Sequence, residues 1–172
     1  MEGLNFKQRL SNITTLMFDI DGVLTDGKVL VMDSGEMVRN LNSKDGYGFH
    51  QAVMKGYRVV IISGGHNEAV KRALERSGIK DIFIRTQDKL GCFKEYISLH
   101  GIKDEEVMFM GDDLPDHEVM SRVGIAACPN DAAQEIRALS IYVSPKNGGE
   151  GCVRDIIEQV LKAQGKWSIE KW

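Results

Sequence analysis

The chain has 172 residues, of which 42% are hydrophobic and 27% are charged, and its formal net charge at pH 7 is −3. A chain of this length buries roughly 70% of the surface that its unfolded form exposes, so it needs no disulfide or structural metal to fold. The mild acidity argues against a nucleic-acid-binding protein, because affinity for phosphate backbones depends on clustered Lys and Arg.

The cysteines and the apolar segments indicate a compartment. Cys92, Cys128 and Cys152 lie far apart and show no paired metal-ligand spacing, which predicts no disulfide framework and a reducing, cytoplasmic location. The segment before Leu16 lacks the apolar run of a signal peptide, and no stretch approaches the ~18 apolar residues that a membrane span requires. We therefore expect a soluble protein that has no membrane partner.

Short apolar runs alternate with longer amphipathic segments from residue 15 onward, a pattern typical of βαβ units around a parallel sheet. The predicted strands are 16–19, 58–62, 81–84, 107–110, 125–127 and 141–143. The predicted helices are 46–54, 67–77, 89–100, 114–123, 132–139 and 151–163. Glycines follow four of these helices, where a left-handed residue is favoured: Gly56, Gly78, Gly101 and Gly124. The expected fold is α/β, with a three-layer, Rossmann-like parallel sheet in one domain of residues 1–172.

Residues 28–41 interrupt this alternation. Period-2 apolar runs lie on both sides of Asp33-Ser34-Gly35-Glu36, which predicts a β-hairpin between the first strand and the first helix. The segment is too small to form a domain of its own.

Acidic residues follow the first and fourth strands, in Asp19-Ile20-Asp21-Gly22 and Gly111-Asp112-Asp113. The carboxyl ends of parallel strands meet at one edge of a sheet, where open α/β folds bind ligands. The carboxylates of Asp19 and Asp21, two residues apart, would repel each other, which favours a bound cation or the protonation of one of them. Asp19, Asp112 and a backbone carbonyl would form an oxygen-only site that suits Mg²⁺, whereas Asp113 could simply cap the next helix.

Two further segments at this edge could bind an anion. The second strand ends in Ser63-Gly64-Gly65, and a hydroxyl with two unhindered amides before a helix can hold an anion, although a tight turn explains these residues equally well. Lys89 begins a helix, where a cation opposes the helix dipole unless an anion lies between them. A solvated lysine is the alternative interpretation.

Two more polar, glycine-containing segments open helices. Residues 42–48 open the first helix, with Asp45 as the predicted N-cap, and residues 148–154 open the last. A structural role explains each segment about as well as a ligand-binding role.

Taken in order, DIDGVLTDG, ISGG, Lys89 and GDDLPD resemble the four motifs of the haloacid dehalogenase superfamily of phosphotransferases, and the resemblance covers nearly the whole chain. It implies that Asp19 is a nucleophile that becomes a transient aspartyl phosphate and that Asp21 is the acid and base. It implies Mg²⁺ as the cofactor. The implied metal ligands are Asp19, Asp112 and the Asp21 carbonyl, the implied phosphate-binding residues are Ser63, Gly64 and Lys89, and the implied supports of the metal site are Asp113 and Asp116.

Many members of this superfamily carry a cap domain between their motifs. The short separations between Asp21 and Ser63 and between Ser63 and Lys89 leave no room for a cap beyond the hairpin. An open cleft would admit solvent to the reaction, so we expect a neighbouring subunit to cover the site.

Within the superfamily the chain resembles the capless phosphatases of 3-deoxy-D-manno-octulosonate (KDO) 8-phosphate, in DIDGVLTDG, the hairpin, NSKDGYG, GDDLPD, GGEGCVRD and the start of a tail at 164–172. This implies a small sugar-acid phosphate as the substrate, in lipopolysaccharide precursor synthesis, and a homo-oligomer, specifically a tetramer. The implied substrate-binding residues are Asn42, Ser43, Lys44, Asp45, Gly46, His50 and Gly65. The residues implied to close a neighbouring subunit's site are Gly148, Gly149, Gly151 and Arg154.

The sequence departs from this subfamily where a substrate carboxylate would be gripped. The family commonly has Arg at the positions of His50, Gly65 and Ala73, and arginine suits bidentate carboxylate binding. The nearest substitutes in this chain are His50, His66, Arg72 and Lys44.

Two alternatives remain open. A phosphatase of nonulosonate 9-phosphates, or of another sugar phosphate, belongs to the same reaction class. A non-catalytic regulatory or assembly domain belongs to another class, and Asp21 argues against it because a domain that only stores an aspartyl phosphate needs no acid and base.

Overall fold

The structure is a computed structural model that describes residues 5–169. Its strands are short and apolar, as the sequence pattern predicts. In chain order they are β1 (Thr15–Phe18), β2 (Leu30–Val31), β3 (Met37–Val38), β4 (Arg58–Ile62), β5 (Asp81–Phe83), β6 (Val107–Met110), β7 (Ile125–Cys128) and β8 (Tyr142–Val143).

Six of these strands form one parallel sheet in the order β5-β4-β1-β6-β7-β8. The central strand β1 is buried along its whole length and pairs with β4 on one side and β6 on the other. At its last residue, Phe18 is in register with Ile61 and with Met110. Because all three strands run the same way, the residues that follow them emerge together at one edge of the sheet.

Helices cover both faces of this sheet. They are α1 (Phe6–Leu10), α2 (Ser43–Met54), α3 (Glu68–Arg76), α4 (Lys89–His100), α5 (His117–Met120), α6 (Gln134–Leu139) and α7 (Cys152–Ala163). Alternate residues of β1 enter separate cores: Leu16 and Phe18 pack with α2 and α7, whereas Met17 packs with Phe93 of α4. This arrangement confirms the three-layer α/β fold.

Three details of the sequence-based prediction were wrong. The short helix α1 was not predicted, and the predicted helix 114–123 is a 3₁₀ turn at Leu114–Asp116 followed by the single turn of α5. Gly56, Gly78 and Gly101 have the positive φ expected after a helix, but Gly124 does not. A Cβ at Gly124 would overlap the backbone carbonyl of Glu105, so close packing requires glycine there.

The predicted N-cap of α2 was also wrong. The helix begins at Ser43, and the side chain of Asn42 caps it by accepting a hydrogen bond from the Lys44 amide. Asp45 lies inside the first turn and is buried. Both residues are good caps by type, and the sequence alone did not distinguish them.

The predicted hairpin is present, with Leu30 opposite Val38 and Val31 opposite Met37 in an antiparallel pair, β2 and β3. It is the small insertion between β1 and α2, and residues 5–169 contain no cap domain. None of the helices in this part of the chain combines the length and the apolarity that a bilayer crossing needs.

Candidate active site

The carboxyl ends of β1, β4 and β6 surround a cavity of about 310 Å³. It contains all of the residues predicted to act in catalysis, to bind phosphate, or to bind or support the metal ion. Its lining includes Asp19, Asp21, Ser63, Gly64, Gly65, Lys89, Asp112, Asp113 and Asp116.

Asp19 follows β1 directly and is buried, with its amide bound to the Met110 carbonyl at 3.1 Å. Its Oδ2 lies 3.0 Å from Lys89 Nζ, whereas its Oδ1 is buried without a hydrogen-bond partner. Burial, reinforced by the nearby Asp116 carboxylate, raises the pKa of Asp19 to about 6 even though Lys89 acts in the opposite direction. One oxygen of this carboxylate is therefore held by Lys89, and the other is buried and unpaired.

Lys89 is the first residue of α4, whose N-cap is Asp88. The lysine is buried and lies between two carboxylates, 3.0 Å from Asp19 and 2.7 Å from Asp116. Burial alone would lower the pKa of Lys89, but the two carboxylates outweigh it and raise that pKa, so the ammonium group stays charged. The solvated-lysine alternative is wrong.

Asp112 completes a cluster of three carboxylates, with one oxygen each from Asp19, Asp112 and Asp116 within 4.8 Å of one another. Burial, followed by repulsion from Asp19 and Asp116, raises the pKa of Asp112 to about 8. Such a cluster is unfavourable without a cation. The cluster therefore has the charge and the oxygen-only chemistry that Mg²⁺ prefers.

The three carboxylates are not equivalent as ligands. Asp116 uses one oxygen for Lys89 and the other for the Asp112 amide, at 3.2 Å. Asp19 Oδ1 and Asp112 Oδ1 are buried without partners. A cation would therefore be held by Asp19 and Asp112, while Asp116 orients Lys89 and Asp112.

Gly22 allows the segments that follow β1 and β6 to approach each other. It has a φ of 85°, and a Cβ at this position would overlap the Asp112 carboxylate. Glycine is therefore required at this position for both backbone conformation and space.

The Ser63-Gly64-Gly65 loop forms the side of the cavity opposite Asp112. Ser63 is buried, and its Oγ accepts a hydrogen bond from the Gly65 amide at 3.2 Å. Asn67 then caps α3 by accepting a hydrogen bond from the Val70 amide. The loop thus presents a hydroxyl and unhindered backbone to the cavity that Lys89 also lines, an arrangement suited to phosphoryl oxygens.

Asp21 has a partner that the sequence did not indicate. Arg39, just after β3, donates to both carboxyl oxygens of Asp21, from Nε to Oδ1 at 2.6 Å and from Nη2 to Oδ2 at 3.1 Å. Arg39 Nη2 also lies 3.8 Å from where a Cβ of Gly65 would be. No local signal marks this arginine, because its partner depends on how the hairpin folds over the sheet edge.

Most of the predicted substrate-binding residues lie outside this cavity. Gly65 lines it, but a neighbouring cavity of about 370 Å³ is lined by Asn42, Ser43, Asp45 and Gly46. Lys44 and His50 lie on the same helix, α2. Their contact with a substrate stays a prediction.

The residues predicted to close a neighbouring site contact their own chain. Gly149 donates to the Val23 carbonyl at 3.0 Å and accepts from Asn42 Nδ2 at 3.0 Å, so this segment holds the loop after β1. Gly151 precedes α7, and Arg154 bonds to Glu158 of the same helix. These contacts account for the segment within one subunit, and its reach into a second subunit stays a prediction.

Comparison with known proteins places the chain in a family. A family model described as haloacid dehalogenase-like hydrolase matches residues 75–156. The 3-deoxy-D-manno-octulosonate 8-phosphate phosphatase of Escherichia coli K12 is 34% identical over 158 residues, which are 92% of this chain and 84% of that protein.

Solved structures agree. The crystal structure of the phosphatase of the same name from Yersinia pestis has a TM-score of 0.91 at 32% identity, covering 93% of this chain and 86% of that one. The structure from Moraxella catarrhalis, in complex with magnesium, phosphate and KDO, has a TM-score of 0.90 at 30% identity, covering 92% and 91%. The chain therefore belongs to the haloacid dehalogenase-like hydrolases, in the family of the 3-deoxy-D-manno-octulosonate 8-phosphate phosphatases.

Proposed function

We propose that this chain is a Mg²⁺-dependent phosphatase that hydrolyses KDO 8-phosphate to KDO and phosphate through a phosphorylated Asp19. The observation that carries the proposal is the buried Asp19 carboxylate, which lines the cavity and has Oδ2 held by Lys89 and Oδ1 unpaired. The choice of substrate is supported by the family, one member of which has been solved with magnesium, phosphate and KDO.

In the first step an oxygen of Asp19 forms a bond to phosphorus, and the bond between phosphorus and the sugar oxygen breaks. Asp21 gives its proton to that leaving oxygen, because an alkoxide is a poor leaving group. Lys89 and the Ser63 loop bind the phosphoryl oxygens, on which charge builds up. Lys89 can do so because Asp19 and Asp116 keep it charged and in place.

In the second step a water oxygen bonds to phosphorus and the bond to Asp19 breaks. Asp21, now a carboxylate, takes the proton of the attacking water and is ready to act as an acid again. Division of one difficult hydrolysis into two displacements is the advantage of a covalent intermediate.

A divalent cation fits the remaining groups. Asp19, Asp112 and the backbone carbonyl of Asp21 would hold Mg²⁺, and Asp113 and Asp116 would support that set. When bound, Mg²⁺ supplies the positive charge that offsets the repulsion between the Asp19 carboxylate and a phosphate dianion.

Phosphate release from a panel of substrates tests the proposal. With Mg²⁺ present, we expect kcat/KM for KDO 8-phosphate to exceed that for a nonulosonate 9-phosphate and for arabinose 5-phosphate by about tenfold or more, since contacts to the whole sugar acid contribute to discrimination. A higher kcat/KM for the 9-phosphate would contradict the substrate assignment. Hydrolysis of none of them would contradict the reaction class as well.

Assembly into a tetramer is a further part of this proposal. The hairpin exposes large apolar side chains, which a monomer would leave in water: Val29, Leu30, Val31, Met32, Met37 and Val38. Packing of these side chains against other copies of the chain would bury them beside an active site that has no cap. A cytoplasmic location also stays a proposal, supported by the free cysteines Cys92, Cys128 and Cys152.

A further inference from the structure

Arg39 connects the hairpin to the candidate active site. Its guanidinium group meets the Asp21 carboxyl group side by side, with Nε 2.6 Å from Oδ1 and Nη2 3.1 Å from Oδ2. A planar fork of this kind fixes both the position and the plane of a carboxyl group, which a single-point contact does not.

The contact is buried on the arginine side. The Arg39 side chain is only 8% exposed, whereas Asp21 is 35% exposed. Arg122 and Arg154, which also form ion pairs, are 45% and 24% exposed. A desolvated guanidinium group needs a fixed partner, so Asp21 and the hairpin hold each other in place.

Two further hydrogen bonds, which share one acceptor, hold Arg39 in place. Its Nη1 donates to the Met37 carbonyl at 3.3 Å, and the same carbonyl accepts a hydrogen bond from Asn67 Nδ2 at 3.0 Å. Asn67 is the N-cap of α3, just after the Ser63-Gly64-Gly65 loop. The hairpin is therefore tied to both the segment after β1 and the segment after β4.

Asp21 has little freedom in this arrangement. A Cβ at Gly65 would lie 3.0 Å from Asp21 Oδ2 and 3.8 Å from Arg39 Nη2, so the carboxyl group is enclosed between the arginine and the loop backbone. Its remaining exposed face borders the cavity that contains Asp19.

We propose that Arg39 is a positioning residue that holds the Asp21 carboxyl group toward the leaving oxygen of the substrate. This role rests on the proposed function, because it concerns the acid step of a phosphatase. In that step one carboxyl oxygen carries the proton to the sugar oxygen, and the other oxygen can still accept a hydrogen bond from Arg39. The hairpin thereby contributes to catalysis within its own subunit.

Leaving groups of different basicity test this role. Arg39→Met keeps the length of the side chain but removes its donors. We expect it to lower kcat/KM by about 10- to 100-fold for the alkyl phosphates KDO 8-phosphate and arabinose 5-phosphate, because a misplaced acid loses much of its effect. For 2,4-dinitrophenyl phosphate, whose leaving group needs no proton, the expected loss is below about threefold.

Three variants complete the experiment. Arg39→Lys should show a smaller loss of kcat/KM with the same dependence on the leaving group. If Arg39→Met does not fold, the result with Arg39→Lys tests the role of Arg39. Adding Arg39→Met to Asp21→Asn should cause no further loss with alkyl phosphates, because the group to be positioned is already absent. Arg122→Met, which removes an arginine paired with Asp104 elsewhere, is the matched control and should leave all three rates unchanged.

Each contrary result is distinct. Equal losses for aryl and alkyl phosphates would show a structural or phosphate-binding role, and a loss confined to the carboxylate-bearing KDO 8-phosphate would show a substrate-gripping role; either overturns the proposal. A further loss in the double variant also overturns it. If the wild-type protein cleaves none of the three compounds, the proposed function fails, and the role of Arg39 fails with it.

Discussion

At the scale of one residue, Asp112 destabilises the folded protein when no metal ion is bound. Burial and repulsion from Asp19 and Asp116 raise its pKa from 3.8 to about 8. Between these values the folded protein holds a proton that the unfolded chain has lost. The stability of the metal-free protein therefore falls as pH rises through this window, because the raised pKa makes the carboxylate costly in the folded state.

Asp112→Asn removes this cost. In EDTA we expect the variant to gain stability over the wild type as pH rises from about 4 to about 8, reaching about 1–3 kcal/mol, which is typical for relief of one buried unpaired group. Urea unfolding at several pH values measures the difference. Asp113→Asn, an exposed neighbour, is the control and should stay within about 0.5 kcal/mol of the wild type.

Mg²⁺ should reverse the order of the two proteins. A ligand that binds only the folded state raises its stability, so saturating Mg²⁺ should stabilise the wild type and leave Asp112→Asn nearly unchanged. Equal stabilisation of both proteins, or a variant less stable than the wild type in EDTA at pH 8, would contradict the assignment of Asp112.

At the scale of secondary structure, Asp45 joins two helices near the site. It lies in the first turn of α2, and its Oδ1 accepts a hydrogen bond from the Arg154 amide at 2.7 Å. That amide belongs to the first turn of α7, where Gly151 provides no side-chain cap. Asp45 therefore caps a helix other than its own, while its Oδ2 is buried without a partner.

Asp45 should have its own pH signature. Burial raises the pKa of Asp45 to about 6. The contact with Arg154 lowers this pKa, but it offsets the effect of burial only in part. We expect the stability of Asp45→Asn relative to the wild type to rise from about pH 4 to about pH 6 and then to level off, because Asn keeps the acceptor and cannot ionise. Thermal unfolding across this range measures it, and a difference independent of pH would refute the buried charge.

Strands were easier to predict than the contacts between elements. The apolar runs of β1, β4 and β6 gave their positions within one residue, because a parallel strand that is buried on both faces forms a nearly continuous apolar run. The carboxylates after β1 and β6 followed from that topology. The bond between Asp45 and Arg154 and the ion pair of Arg39 with Asp21 join segments far apart in sequence, so no local pattern marks either pair.

At the scale of the whole molecule, the exposed hairpin is what we propose to drive assembly. Leu30 and Val31 are 63% and 67% exposed, in a strand that pairs with β3 and not with the six-stranded sheet. Val31→Glu should therefore shift the protein from tetramer toward smaller species in sedimentation velocity experiments, because a charge would have to be buried. Leu99→Glu alters an apolar side chain that is 77% exposed on α4 and should leave the tetramer intact. A wild-type monomer with full activity would contradict the proposed assembly.

The central claim, that Asp19 becomes phosphorylated, can be measured directly. The protein is mixed with Mg²⁺ and KDO 8-phosphate and quenched in acid within one turnover. Peptide mass spectrometry then locates the added phosphoryl group. We predict a phosphoryl group on Asp19 in the wild type and none in Asp19→Asn, because a carboxamide cannot be phosphorylated. The variant should keep its fold, since Lys89 keeps its contact with Asp116. A phosphoryl group on another residue, or normal turnover by Asp19→Asn, would contradict the account.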